Sequence, residues 1–202
     1  MFFCKWYTGS GTKLLGQVAL FTKETGIENG RKTVLKNTDR FEFEQIINEF
    51  SDMVYRIARI YGWTKEDAED IFQEVFLRLV RNIDGLESKE HIRNWLIRVT
   101  INCGKTYRMK MARNPMLPFD EGLVTENSGE QSDLEWKVYT AVRSLPPKYR
   151  AIIHLYYYEE LSIKEISKCL DRREGTVKSQ LARGRALLEK KLGKEFGDGT
   201  AL

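Results

Sequence analysis

The chain has little cysteine, histidine or proline and no long apolar run, and each shortage narrows what it can be. Its three cysteines, Cys4, Cys103 and Cys169, are odd in number, far apart and without a CxxC pair. That argues against a disulfide framework or a zinc site and fits a reducing cytoplasm. The two histidines, His91 and His154, are equally scattered and read as ordinary structural residues. No metal and no cofactor is therefore expected. No stretch of about 18 apolar residues occurs, so no membrane insertion is expected. The N-terminal apolar run from Leu14 to Phe21 is broken by Gly16 and Gln17 and lacks a clear cleavage site, which argues against a secretory signal. The four prolines fall in two places, 115/118 and 146/147, and read as breaks between helices.

Charge is abundant, at 31% of residues, but the net charge of +4 hides how it is distributed. Between Arg93 and Arg113 every charged residue is basic. Between Asp120 and Glu135 every one is acidic, and from Lys164 onward bases dominate again. Two basic blocks separated by an acidic one imply two phosphate-facing surfaces and a solvated linker. Charge alone fits solvated helix faces equally well.

Residues 1–40 carry five glycines and no periodicity, so they read as a disordered extension. From Phe41 the pattern turns helical. Ile46, Ile47, Phe50, Val54, Ile57, Ala58 and Tyr61 recur at three- and four-residue spacing. Thr64 is placed to cap a second helix whose inner face holds Ala68, Ile71, Phe72, Val75, Phe76, Leu79 and Val80, with Gly85 as its stop. Ser88 caps a third, running to about Met111, with Ile92, Trp95, Leu96, Val99 and Cys103 inward. A proline-, glycine- and acid-rich stretch over 113–131 reads as a flexible linker. A second helical set occupies 132–192. It opens at the capping-box spacing Ser132 to Glu135, restarts at Pro147, and opens again at the same spacing from Ser162 to Glu165. Residues 193–202 are a tail. The expected fold is all-α, with two small helical domains, 41–112 and 132–192, joined by the linker.

The short helix from Ser162, the turn at Asp171-Arg172-Arg173 and the basic helix that follows have helix-turn-helix dimensions. Lys178, Ser179, Gln180, Arg183 and Arg185 lie outside its apolar stripe and are residue types that read major-groove edges and hold phosphates. Gly175 would let the helix N-terminus come close to a phosphate. The other basic helix interleaves Trp95 and Tyr107 with its cations and carries Asn102, which suits single-stranded or melted DNA. Trp95 lies on the apolar stripe and reads as core. Tyr107 and the arginines are the better candidates for contact. Gly104-Lys105-Thr106 resembles the end of a phosphate-binding P-loop, but the earlier glycine is Val99 and no strand precedes it. Asp70, Gln73 and Glu74 share a polar face without a nucleophile, base or metal beside them. This is a solvated face or a docking surface for a basic partner rather than catalytic machinery.

Residues Ala68 to Arg78, AEDIFQEVFLR, with Trp95 to Val99, WLIRV, resemble the second conserved region of extracytoplasmic-function sigma factors. Leu145 to Arg150, LPPKYR, the segment Leu161 to Leu170 and Gly175 to Ser179, GTVKS, resemble their fourth region. The resemblance covers roughly Phe43 to Leu192 and keeps both regions in order across a linker. It implies a non-catalytic cytoplasmic subunit whose partners are core RNA polymerase, promoter DNA and, as often in the family, an anti-sigma factor. Asp70, Gln73, Glu74 and Arg78 would dock on the polymerase. Arg98, Asn102, Lys105, Tyr107 and Arg108 would recognise and melt the minus-ten element, with Asn102 the best match to a base reader. Arg173, Thr176, Lys178, Ser179, Gln180 and Arg183 would serve the minus-thirty-five element. Thr106, Met109 and Gln180 depart from the family's usual residue types, so the promoter sequence does not carry over. Residues 1–40 have no counterpart in the family core and reflect either a start upstream of the true one or a disordered extension. The competing readings are a conventional helix-turn-helix regulator, which binds a palindromic operator unaided as a dimer, and a nucleotide enzyme, whose turnover loss of Lys105 would abolish.

Overall fold

The computed structural model describes residues 37–62, 64–113 and 133–197. The first half has three helices: α1 (Asn37–Arg59), α2 (Lys65–Asn82) and α3 (Lys89–Ala112), with a 3-10 turn over Ile83–Gly85 after α2. The second half has four: α4 (Asp133–Arg143), α5 (Pro147–Tyr157), α6 (Ile163–Leu170) and α7 (Glu174–Gly197). No strand occurs among the described residues. The all-α expectation holds. Helix α1 begins at Asn37, four residues ahead of the expected boundary at Phe41. The capping pair Ser132–Glu135, most of the linker and the N-terminal extension lie outside the described residues.

Local chemistry sets the helix ends. Thr64 Oγ1 accepts from the Asp67 amide at 3.2 Å, and Asp67 Oδ2 accepts from the Thr64 amide at 2.9 Å, a reciprocal cap for α2. Ser88 Oγ caps α3 by accepting from the His91 amide at 3.1 Å. Pro147 begins α5, where its missing N–H costs nothing. Ser162 and Glu165 cap α6 reciprocally at 3.2 and 2.8 Å. Asp171 ends α6 in the left-handed region, φ 49° and ψ 57°, and makes the tight turn without a glycine.

In the first half, α1, α2 and α3 pack pairwise around Ile57, Tyr61, Phe72, Phe76, Leu79 and Leu96. In the second, α5 sits against α4, α6 and α7 and is buried continuously from Arg150 to Leu155. Gly184 of α7 lies where a Cβ would come within 2.9 Å of Ile153 Cγ1, so α5 and α7 touch closely there.

The halves meet where α3 crosses α6 and where α1 ends. A helix leaves its last carbonyls without intrahelical partners. Here the second half supplies a donor to the last helical carbonyl and donors to two carbonyls of the turn that follows. Tyr139 Oη donates to the Arg59 carbonyl at 3.0 Å, Arg150 Nη1 to the Ile60 carbonyl at 3.2 Å, and Arg143 Nη2 to the Gly62 carbonyl. Cations also complement the negative end of the helix dipole. Beside them, Arg56 binds Glu159 through two parallel bonds of 2.9 and 2.8 Å, and His154 Nε2 lies 3.2 Å from the same carboxylate. Burial pushes the Glu159 carboxyl upward, but hydrogen bonds from His154 and Arg56 outweigh it and hold the pKa down at about 2.

A carboxyl depressed in the fold stabilises it above the unfolded carboxyl's pKa and stops doing so as pH falls through the folded value. Stability should therefore drop between about pH 4.5 and pH 2, and Glu159→Gln should flatten that drop. Urea unfolding followed by circular dichroism at stepped pH measures it; an unchanged slope in the variant would refute the assignment.

Candidate nucleic-acid interface

Helix α7 buries Val177 and Leu181 and turns the rest of its first turns outward. Arg173, Thr176, Lys178, Ser179 and Arg183 are exposed, and Thr176, Ser179 and Arg183 recur at the three- and four-residue spacing of one helix face. The Arg173 carbonyl accepts from the amides of Thr176 and Val177 at 2.9 and 3.1 Å and so opens the helix. Ser179 Oγ donates to the Thr176 carbonyl at 2.9 Å. Gln180 is half-buried and its Oε1 accepts from Arg172 Nη1 at 2.7 Å. Arg172, which the sequence pattern treated as turn alone, thus holds one of the candidate readers. Arg185 turns back over Tyr156 and Tyr157, 5.3 and 5.5 Å from their ring centres. A Cβ at Gly175 would meet nothing within 4 Å, so its space is open to solvent or a ligand rather than required by packing.

Helix α3 divides its basic residues between two stripes. Arg98, Asn102, Lys105 and Met109 recur along one side; Arg98 and Asn102 are exposed, Met109 is 57% exposed and Lys105 is half-buried. Ile97, Ile101, Gly104 and Arg108 follow the inner side, where Ile97, Ile101 and Gly104 are buried and Arg108 partly so. The inner face is broader than the expected stripe because α3 is packed on α1 and α2 and also on α6. Trp95 is partly buried against the core, as its position on the stripe implies. Tyr107 differs from expectation: it packs on the core and its hydroxyl donates to Asp67 Oδ1, which fastens α3 to the cap of α2. Burial first, and that bond with it, raises the Tyr107 pKa. The reciprocal Thr64–Asp67 cap was the available signal that Asp67 is structural.

Burial, and then Arg172, lower the Lys105 pKa; burial, and then Arg143, lower that of Arg108. Burial, with Arg108 next, pushes Arg150 down to about 10. Cations of α3 thus lie within the electrostatic influence of cations from the second half.

On α2, Asp70 and Arg78 are exposed and Gln73 and Glu74 are half-buried, all on one face. Arg78 Nε donates to Glu74 Oε1 at 2.7 Å, an i,i+4 pair. Among the described residues no group of three metal-ligating side chains converges, and no helix is long and apolar enough to cross a membrane.

A partly exposed polar face on one three-helix half and a basic helix-turn-helix on the other define a two-part DNA-binding adaptor. Residues 46–114 match the family model for sigma-70 region 2, and residues 135–188 match that for sigma-70 region 4. The chain is 29% identical over 173 residues to the extracytoplasmic-function RNA polymerase sigma factor SigW of Bacillus subtilis, covering 78% of this chain and 92% of that protein. It is 28% identical over 155 residues to SigM of Mycobacterium tuberculosis, covering 77% and 79%. It is 32% identical over 164 residues to SigE of Mycolicibacterium smegmatis, covering 77% and 63%. The fold is similar to that of CnrH in its complex with the cytosolic domain of CnrY, with TM-score 0.59, 21% identity and coverage of 92% and 98%. It is also similar to that of RpoE bound to the anti-sigma factor NepR from Bartonella quintana, with TM-score 0.58, 20% identity and coverage of 75% and 96%. The chain belongs to the extracytoplasmic-function sigma factors of the sigma-70 family and directs promoter-specific transcription initiation.

Gly104, the residue that gave the sequence its P-loop likeness, is a packing glycine. A Cβ there would lie 2.6 Å from Tyr61 Cβ, at the stiff base of a fully buried ring. Gly104→Ala should destabilise the first half by about 1–3 kcal/mol through overpacking. Urea denaturation measures this, and wild-type stability in the variant would reject the role.

Proposed function

We propose that three helix faces divide the work of initiation. The exposed row on α7, Arg173, Thr176, Lys178, Ser179 and Arg183, enters the major groove of the minus-thirty-five element, with Gln180 held by Arg172 at its edge. The outer stripe of α3, led by Arg98, Asn102 and Lys105, contacts the minus-ten element and its melted strand; Arg108 and Tyr107 support that helix from within. The face of α2 carrying Asp70, Gln73, Glu74 and Arg78 docks on core polymerase. The observation that carries this reading is that each face presents exposed polar residues, Asp70 and Arg78 on α2, Arg98 and Asn102 on α3 and the row on α7, in a chain that matches both conserved regions in order. The chain supplies position and base recognition; the polymerase supplies the chemistry, and the factor itself is not an enzyme and acts in the cytoplasm. An anti-sigma factor is a further partner of this chain, by analogy with the related fold bound to NepR. A conventional helix-turn-helix regulator is disfavoured because such a protein needs no polymerase-docking region.

Run-off transcription with core polymerase should yield new specific transcripts only when this protein is added; no new transcript from any genomic template would overturn the reading. Arg183→Ala should cost about 1–3 kcal/mol of promoter binding if the guanidinium pairs with a base. Filter binding or anisotropy with matched and mismatched minus-thirty-five sequences checks this, and unchanged discrimination would refute it. Asp70→Ala should weaken binding to core polymerase while leaving duplex binding by the free chain unaltered, as separate titrations would show.

A further inference from the structure

We propose that Arg172 is a positioning residue for base selection. It holds the Gln180 carboxamide with its oxygen turned to the guanidinium, so that Gln180 meets the minus-thirty-five element as a hydrogen-bond donor and selects guanine over adenine at the base pair it faces. The proposal rests on the assignment of α7 to that element. The turn of the helix-turn-helix places Arg172 for this task. Asp171 takes the left-handed conformation, and the Arg172 amide donates to the Ser167 carbonyl at 2.9 Å, which ties the residue to the end of α6. From there Arg172 Nη1 donates to Gln180 Oε1 at 2.7 Å, a bond between residues eight apart in the chain. A guanidinium has donors only, so the atom facing it is the amide oxygen. Turning the amide over would set its N–H groups against those of the arginine. A bond from a charged donor is roughly twice as strong as a neutral one and resists that rotation. Gln180 Nε2 has no hydrogen-bond partner among the described residues and is not one of their buried unpaired atoms, so it stays open to solvent. Four residues after Thr176 and three before Arg183, Gln180 lies beside the exposed row of α7.

This orientation changes what glutamine can read. A free glutamine pairs with adenine through both ends of its amide: the oxygen accepts from N6 and the nitrogen donates to N7. Here the oxygen already accepts from a cation. Its second lone pair lies beside the guanidinium, so an adenine amino group reaching it would bring one donor up against another. Guanine offers only acceptors at that part of its major-groove edge, O6 and N7, and suits a group with only N–H to give. Both partners belong to the second half, so the orientation is set within the helix-turn-helix itself. A phosphate-binding role for Arg172 would carry no sequence information and would act evenly on all promoters.

That difference is the test. Holoenzyme assembled from core polymerase and the full chain transcribes a pool of templates with every base at each minus-thirty-five position, each template carrying a transcribed barcode. The wild-type chain should favour guanine over adenine at one position, and Gln180→Ala should level the preference there alone. Arg172→Ala should move the guanine-to-adenine ratio at that same position about tenfold toward adenine, within the discrimination that one base-edge pair supplies. An even loss over all sequences in Arg172→Ala would overturn the proposal. So would a shift at a position that Gln180→Ala leaves alone, or a wild-type preference for adenine there. If Arg172→Ala yields no transcript, Gln180→Glu decides. Its carboxylate keeps the bond from Arg172 but offers only acceptors, so the preference should move to cytosine, whose N4 donates. Retained guanine preference in that variant would overturn the proposal. Absence of transcripts with the wild-type chain would count against the sigma-factor reading instead. The four chains are then compared by direct selection from the same pool as duplexes, and the same outcomes decide.

Discussion

Helix α1 ends in the interior, and an interior helix end must find donors for its last carbonyls. That requirement organises much of the molecule. Tyr139, Arg143 and Arg150 meet it from the second half, and to do so two arginines are taken almost wholly out of water. Their burial explains the unusual character of α5, which lies inside from Arg150 to Leu155 although two of those six residues are basic or titratable. The buried apolar residues of both halves form one continuous cluster.

The three functional faces bear unequal structural duties. The α7 row stands clear of the core because Val177, Leu181 and Gly184 handle its packing. The α2 face is similarly free, its only described ion pair being the internal one between Glu74 and Arg78. Helix α3 has both tasks. It packs on α1 and α2 through Leu96, Ile97 and Ile101, joins the α2 cap through Tyr107, and still presents Arg98 and Asn102.

Much of this was legible in the sequence, because local rules sufficed. The caps at Thr64, Ser88 and Ser162, the restart at Pro147 and the turn at Asp171 follow from residues within a few positions of one another. The exposed rows of α2 and α7 follow from helical periodicity. What could not be read was set by contacts far apart in the chain. Tyr107 looked like a stacking aromatic until Asp67, 40 residues away, took its hydroxyl. Gly104 belonged to no complete phosphate loop, and only its contact with Tyr61 explains its missing side chain. Arg56 and Glu159 are 103 positions apart, and nothing local marks either as a partner.

The dependence of α1 on donors from the other half bears on how such chains can be recombined. On a promoter, two halves joined by a linker look like interchangeable modules. In the free protein, a second half grafted from elsewhere without counterparts of Tyr139, Arg143 and Arg150 would leave the Arg59, Ile60 and Gly62 carbonyls without these donors. Compatibility between grafted halves is thus decided at a helix end that packs against α3, away from the exposed row of α7.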